Sequence, residues 1–74
     1  MARLRKATGK DMVRFLTLNG YEIIRKKGSH IILKGPNAKT EVIPVHAGKE
    51  LPKGLIMRIL RNIEVSREYY NKHI

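Results

Sequence analysis

Gly28-Ser29-His30 runs into Ile31-Ile32-Leu33 and directly follows three cations, Arg25-Lys26-Lys27. This puts one histidine at the start of a short apolar strand, beside a concentrated positive charge. Histidine titrates nearest neutrality, so it both takes and gives a proton at working pH. Cations beside it can hold a phosphate. A proton-transfer group among phosphate-binding groups is what RNA cleavage requires. The same pattern also fits a polar histidine on the exposed face of a sheet. A second histidine, His46, closes the run Pro44-Val45-His46. It is either a second proton-transfer group or a loop residue that orders the following turn.

Two helices and three strands are expected to position these groups. Thr8-Gly9-Lys10-Asp11 has the spacing of a capping box, with Thr8 as N-cap and Asp11 in the N3 place. Met12, Phe15 and Leu16 follow as an apolar stripe, widened by Val13. The first helix is therefore expected over 9–19, with Gly20 just past its end. Residues 21–27 are rich in β-formers and predict strand one. Gly28 supplies the turn, and 29–34 predict strand two. Gly35-Pro36-Asn37-Ala38 is a tight connection to strand three at 40–45. Pro44 stands near that strand's end, where a missing N–H does least damage. His46-Ala47-Gly48-Lys49 is expected as a loop. A second helix begins near Pro52 or Gly54, with Ile56, Ile59, Leu60 and Ile63 on one stripe. Ser66 is placed to cap a short last helix running to about Lys72.

The predicted class is α+β, in the order α-β-β-β-α with a short C-terminal helix. The sheet is a three-stranded antiparallel meander. Both amphipathic helices must bury their stripes, and one face of the sheet is the place to do it. The other face is left open. Period-two alternation sends Ile31 and Leu33 toward the core, and His30, Ile32 and Lys34 toward the open face.

The chain has 74 residues, enough for one small domain, 1–74, with 1–7 expected as a flexible basic arm. A domain of this size buries only about 60% of its unfolded surface, so a large enclosed substrate cavity is not expected. Net charge is +10, from 16 Lys and Arg against 6 Asp and Glu. That excess points to an anionic partner, nucleic acid before an acidic protein. No apolar stretch approaches the roughly 20 residues of a membrane span. The basic start lacks the apolar segment of a secretory signal. With no cysteine there is no disulfide framework and no thiolate zinc site. A cytoplasmic location, no membrane partner, no metal and no cofactor are expected.

Several short elements together resemble one known family. They are Asn19-Gly20-Tyr21, Gly28-Ser29-His30 after a basic strand, Pro44-Val45-His46, Gly48-Lys49-Glu50-Leu51, and the helix from Gly54 through Ile59-Leu60. Their order and spacing resemble the HicA (YcfA-like) toxins over about 9–69. The resemblance implies a fold like that of double-stranded-RNA-binding domains. It implies a toxin of a type II toxin–antitoxin system, an mRNA-cleaving endoribonuclease held inactive by a HicB-like antitoxin. The family's catalytic histidine falls on His30, and the histidine of its Pro-x-His element on His46. One departure stands out. The family starts its second helix with Gly-Thr-Leu, and this chain has Gly54-Leu55-Ile56. Leu55 offers no hydroxyl, which puts any phosphate contact from that position in doubt.

The expected reaction is metal-independent. RNA carries its own 2′-OH nucleophile. It needs a base, an acid for the leaving 5′-oxygen, and positive charge around the phosphorus. His30 is the candidate base or acid. Arg25, Lys26, Lys27, Ser29, Lys34 and Lys10 are the candidates for holding RNA. Ile32 and Lys34 are the expected antitoxin contacts, and the free protein is expected to be a monomer. Tyr21, Tyr69 and Tyr70 could stack on bases or pack in the core, and His73 is expected to be solvated. A non-catalytic RNA-binding module would use the same fold and charge. So would a protein whose basic face docks only an acidic partner.

Overall fold

A computed structural model describes residues 3–74. The elements are α1 (Gly9–Leu18), β1 (Glu22–Lys27), β2 (His30–Lys34), β3 (Thr40–Pro44), α2 (Lys53–Ile63) and α3 (Arg67–His73). The class is α+β, and the three strands form one antiparallel sheet in the order β1-β2-β3. Among the described residues no helix is long and apolar enough to cross a membrane.

The capping box forms as its spacing requires. Thr8 Oγ1 accepts from Asp11 N at 3.1 Å, and Asp11 Oδ2 accepts from Thr8 N at 3.0 Å. Both bonds satisfy donors that a helix start otherwise leaves without partners. α2 starts differently. Its N-cap is Pro52, which makes no side-chain cap. Ser66 caps α3 by accepting from Tyr69 N at 3.1 Å.

The core lies between the helices and one sheet face. Met12, Phe15 and Leu16 of α1 and Ile56, Ile59 and Leu60 of α2 are buried with Leu33 and Ile43 of the sheet. Each such aliphatic or aromatic side chain contributes about 1.5–3 kcal/mol when taken fully out of water. Tyr70 of α3 completes the core. It is fully buried, edge-on to Phe15 with ring centroids 5.6 Å apart. Tyr21 is buried as well. Two of the three tyrosines are thus core residues. Tyr69, partly exposed, is held by Phe15 and by a 2.6 Å bond from its hydroxyl to Asn19 Oδ1. His73 is exposed and lies against the Tyr69 ring.

The segment expected as a loose arm is tethered over residues 3–7. Asn71 Oδ1 accepts from Arg5 N at 2.9 Å, the Tyr70 hydroxyl donates to Arg5 O at 2.7 Å, and Asn71 Nδ2 donates to Arg3 O. Ala7 is buried, and its carbonyl accepts from Leu51 N at 2.8 Å. The physical reason is that α3 offers a side-chain amide and a buried phenol to this backbone. Nothing in the arm's own basic composition signals such partners. Met1 and Ala2 lie outside the described residues.

Candidate functional site

A two-residue turn, Gly28-Ser29, joins β1 to β2 and sets Lys27 directly opposite His30. Gly28 has φ +57°, in the left-handed region that a tight hairpin turn needs at this position. On the other side His30 pairs with Pro44. Residues directly opposite one another in a sheet share a face. Lys27, His30 and Pro44 therefore form one row across the open face. Arg25, Ile32 and Val42 form the next row, and Glu22, Lys34 and Thr40 the third.

The helices lie behind the other face, with Ile31, Leu33, Glu41 and Ile43 on it. Lys26 pairs with Ile31, so it sits at the sheet edge on that side rather than beside His30. Of the three consecutive cations, only Arg25 and Lys27 share the histidine's face. A β-bulge between Ile23 and Arg25 produces this arrangement. The extra residue, Ile24, changes the phase of the strand. Ile23 opposes Leu33 on the core face, yet Arg25 and Lys27 stand on the open face. An unbroken strand would send 23, 25 and 27 the same way.

His30, Arg25, Lys27 and Lys34 are all exposed, and Ile32 is half-buried between them. Ser29 is half-buried in the turn, and its carbonyl accepts from Val45 N at 2.6 Å. That bond carries the β2–β3 pairing one step beyond the strand. It leaves His46, the next residue, at the same end of the sheet as His30. His46 is exposed. Its carbonyl closes the following turn by accepting from Lys49 N at 3.0 Å. Lys10 is exposed on the first turn of α1, which meets the same end, because Gly9 packs on the backbone of Pro44 and Val45. Leu55 turns its apolar side chain against the core.

Two members of the open face on β3, Thr40 and Val42, were not singled out by sequence. Val42 is 44% exposed, a large apolar side chain presented to solvent beside Ile32. Alternation along strand three would have grouped them, but assigning them to the face of His30 needed the register. Among the described residues no three His, Asp or Glu side chains gather into a metal-holding group.

A small, strongly basic α+β domain with a histidine and three cations on an uncovered sheet face is the class these features define. The chain belongs to the HicA toxin family. The family model described as the HicA toxin of bacterial toxin–antitoxin systems matches residues 9–65, from the first residue of α1 to just past α2. Membership gives the chain the role of a toxin. A search of the curated proteins returned no match.

Proposed function

We propose that this toxin is a metal-independent endoribonuclease that cuts mRNA with His30, and that a HicB-like antitoxin holds it inactive. The observation that carries the reading is the row Lys27–His30–Pro44 on the open face, with Arg25 in the next row. An exposed imidazole between strands can meet a polymer laid across the sheet, and no enclosed pocket is needed. As base, His30 takes the proton of a 2′-OH. The 2′-oxygen attacks the adjacent phosphorus, the bond to the 5′-oxygen breaks, and that oxygen is reprotonated on leaving. The products are a 2′,3′-cyclic phosphate and a free 5′-OH. His46, at the same end of the sheet, is the candidate for the second proton. Arg25, Lys27 and Lys34 supply positive charge to the phosphate as it becomes five-coordinate.

Cleavage of RNA in EDTA by the wild type and by His30→Ala tests this. One well-placed proton-transfer group is worth about 10²- to 10⁴-fold. His30→Ala is expected to lose turnover by that order while keeping RNA affinity, and added antitoxin is expected to stop the wild type. Equal cutting by both proteins would remove His30 from the reaction. RNA binding by both without any cutting would make the chain a binding module.

A further inference from the structure

A cleft of about 770 Å³ lies between residues 3–6 and the start of α2, on surface that shares no residue with the open sheet face. Its rim carries Arg3, Arg5, Lys6 and Lys53, against a single acid, Glu50. Its floor is apolar, made by half-buried Leu4 with the nearly buried Leu51 and Ile56 beneath it. Only two ion pairs occur among the described residues, Arg14–Asp11 and Lys39–Glu64, so none of the four rim cations is neutralised by a carboxylate. The rim is also held in shape. Arg5 is bonded through backbone and side chain to Asn71, and its carbonyl to Tyr70. Lys53 is the first residue of α2, whose end has no side-chain cap and no acid in its first turn, so the helix charge there adds to that of the rim.

We infer that this cleft is a second RNA-binding groove, which holds the single-stranded backbone away from the scissile bond. It rests on the reading that RNA is the toxin's substrate. A cationic rim over an apolar floor suits a polymer whose every unit carries one phosphate and one flat base. An acidic peptide offers the charge without the flat apolar face. The groove also connects with the histidine. Residues 3–7 lead to Thr8 and Gly9, and Gly9 rests on Pro44, the cross-strand neighbour of His30. Lys10 stands at that corner. Arg3, Leu4, Arg5 and Lys6 precede the matched residues 9–65, so half of the eight residues that line this groove lie outside the family match.

The test compares wild type with Arg3→Ala/Lys6→Ala/Lys53→Ala. These three side chains are at the surface or rim, and Arg5 is kept because it anchors Asn71. The probes are a short and a long 2′-O-methyl oligonucleotide, which cannot be cut, followed by anisotropy over a range of salt. The long probe is expected to bind roughly 10-fold or more weaker, with a salt slope shallower by about 2, as befits three lost single-strand contacts. The short probe is expected to bind unchanged. With cleavable RNA, KM rises and kcat holds. Arg58→Ala/Arg61→Ala/Lys72→Ala removes the same charge elsewhere. Equal weakening by both triple variants, or none by the first, would overturn the groove. Equal loss of poly-glutamate and RNA binding would overturn it too, in favour of an acidic protein segment. A wild type that cuts no RNA, yet loses long-probe affinity through the first variant alone, would sink the nuclease reading and leave the groove standing.

Discussion

Tyr70 does more at one position than any other residue of the last helix. Its ring fills the core against Phe15 and its hydroxyl holds Arg5 O at 2.7 Å. Burial is the main reason its phenol is pushed up to about 12 from an ordinary value of 10.0, with the charge of Asp11 adding and that of Arg5 opposing. The neutral phenol is the native form. An unfolded chain sheds that proton above about pH 10, whereas the folded chain keeps it to about pH 12. Stability from this group is therefore complete below pH 10 and falls as pH rises between those values. Tyr70→Phe is expected to cost about 1 kcal/mol at neutral pH, the worth of one hydrogen bond. It is also expected to flatten the alkaline decline, with a smaller part left to Tyr21, which burial raises as well. Urea titrations of both proteins at a series of pH values check this; parallel alkaline limbs would show that Tyr70 does not govern them.

The elements were largely legible before the structure, because their signals are local. Thr8 and Asp11 are three residues apart and find each other within one turn. The stripes of α1 and α2 needed only a period, and Gly28 alone announced its hairpin. What sequence could not show was anything that depends on a partner strand or a distant helix. The composition of Glu22–Lys27 does not reveal which of Arg25, Lys26 and Lys27 stands beside His30, since one bulge decides it. Nor does the start of the chain reveal that Asn71, 66 residues on, will accept from Arg5. The meeting of α1 with β3 was equally hidden. A Cβ on Gly9 would collide with the Pro44 carbonyl oxygen and come within 2.9 Å of Val45 Cα, backbone atoms that cannot swing aside. Gly9→Ala is therefore expected to destabilise by about 1–3 kcal/mol despite alanine's better helix propensity. Thermal melts would measure this. Because Pro44 neighbours His30, turnover of the folded fraction should drop as well. A more stable Gly9→Ala protein would mean that α1 can tilt away from the sheet at no cost.

The described residues form a two-layer slab, 18 Å across its thinnest extent, with helices behind the sheet and none of those residues covering its front. Only two of its sixteen Lys and Arg side chains are ion-paired among the described residues. The open face combines that uncompensated charge with Val42 and half-buried Ile32, a surface fitted to an acidic partner with an apolar centre. An antitoxin that blocks the toxin directly is expected to cover it. Lys34 should then resist acetylation in the complex while Lys72, on α3, still reacts. A complex in which Lys34 reacts as fast as in the free toxin would rule out direct occlusion. The bulge at Ile24 gives this slab a particular freedom. β1 turns Ile23 toward the helix side at its start and Arg25 and Lys27 toward the open face at its end. Since Arg25 and Lys27 stand on the face away from the core, the charges at 25 and 27 can be exchanged without disturbing Leu33 and Ile43 behind the sheet. A lineage of such toxins could retune what it grips while inheriting its interior unchanged.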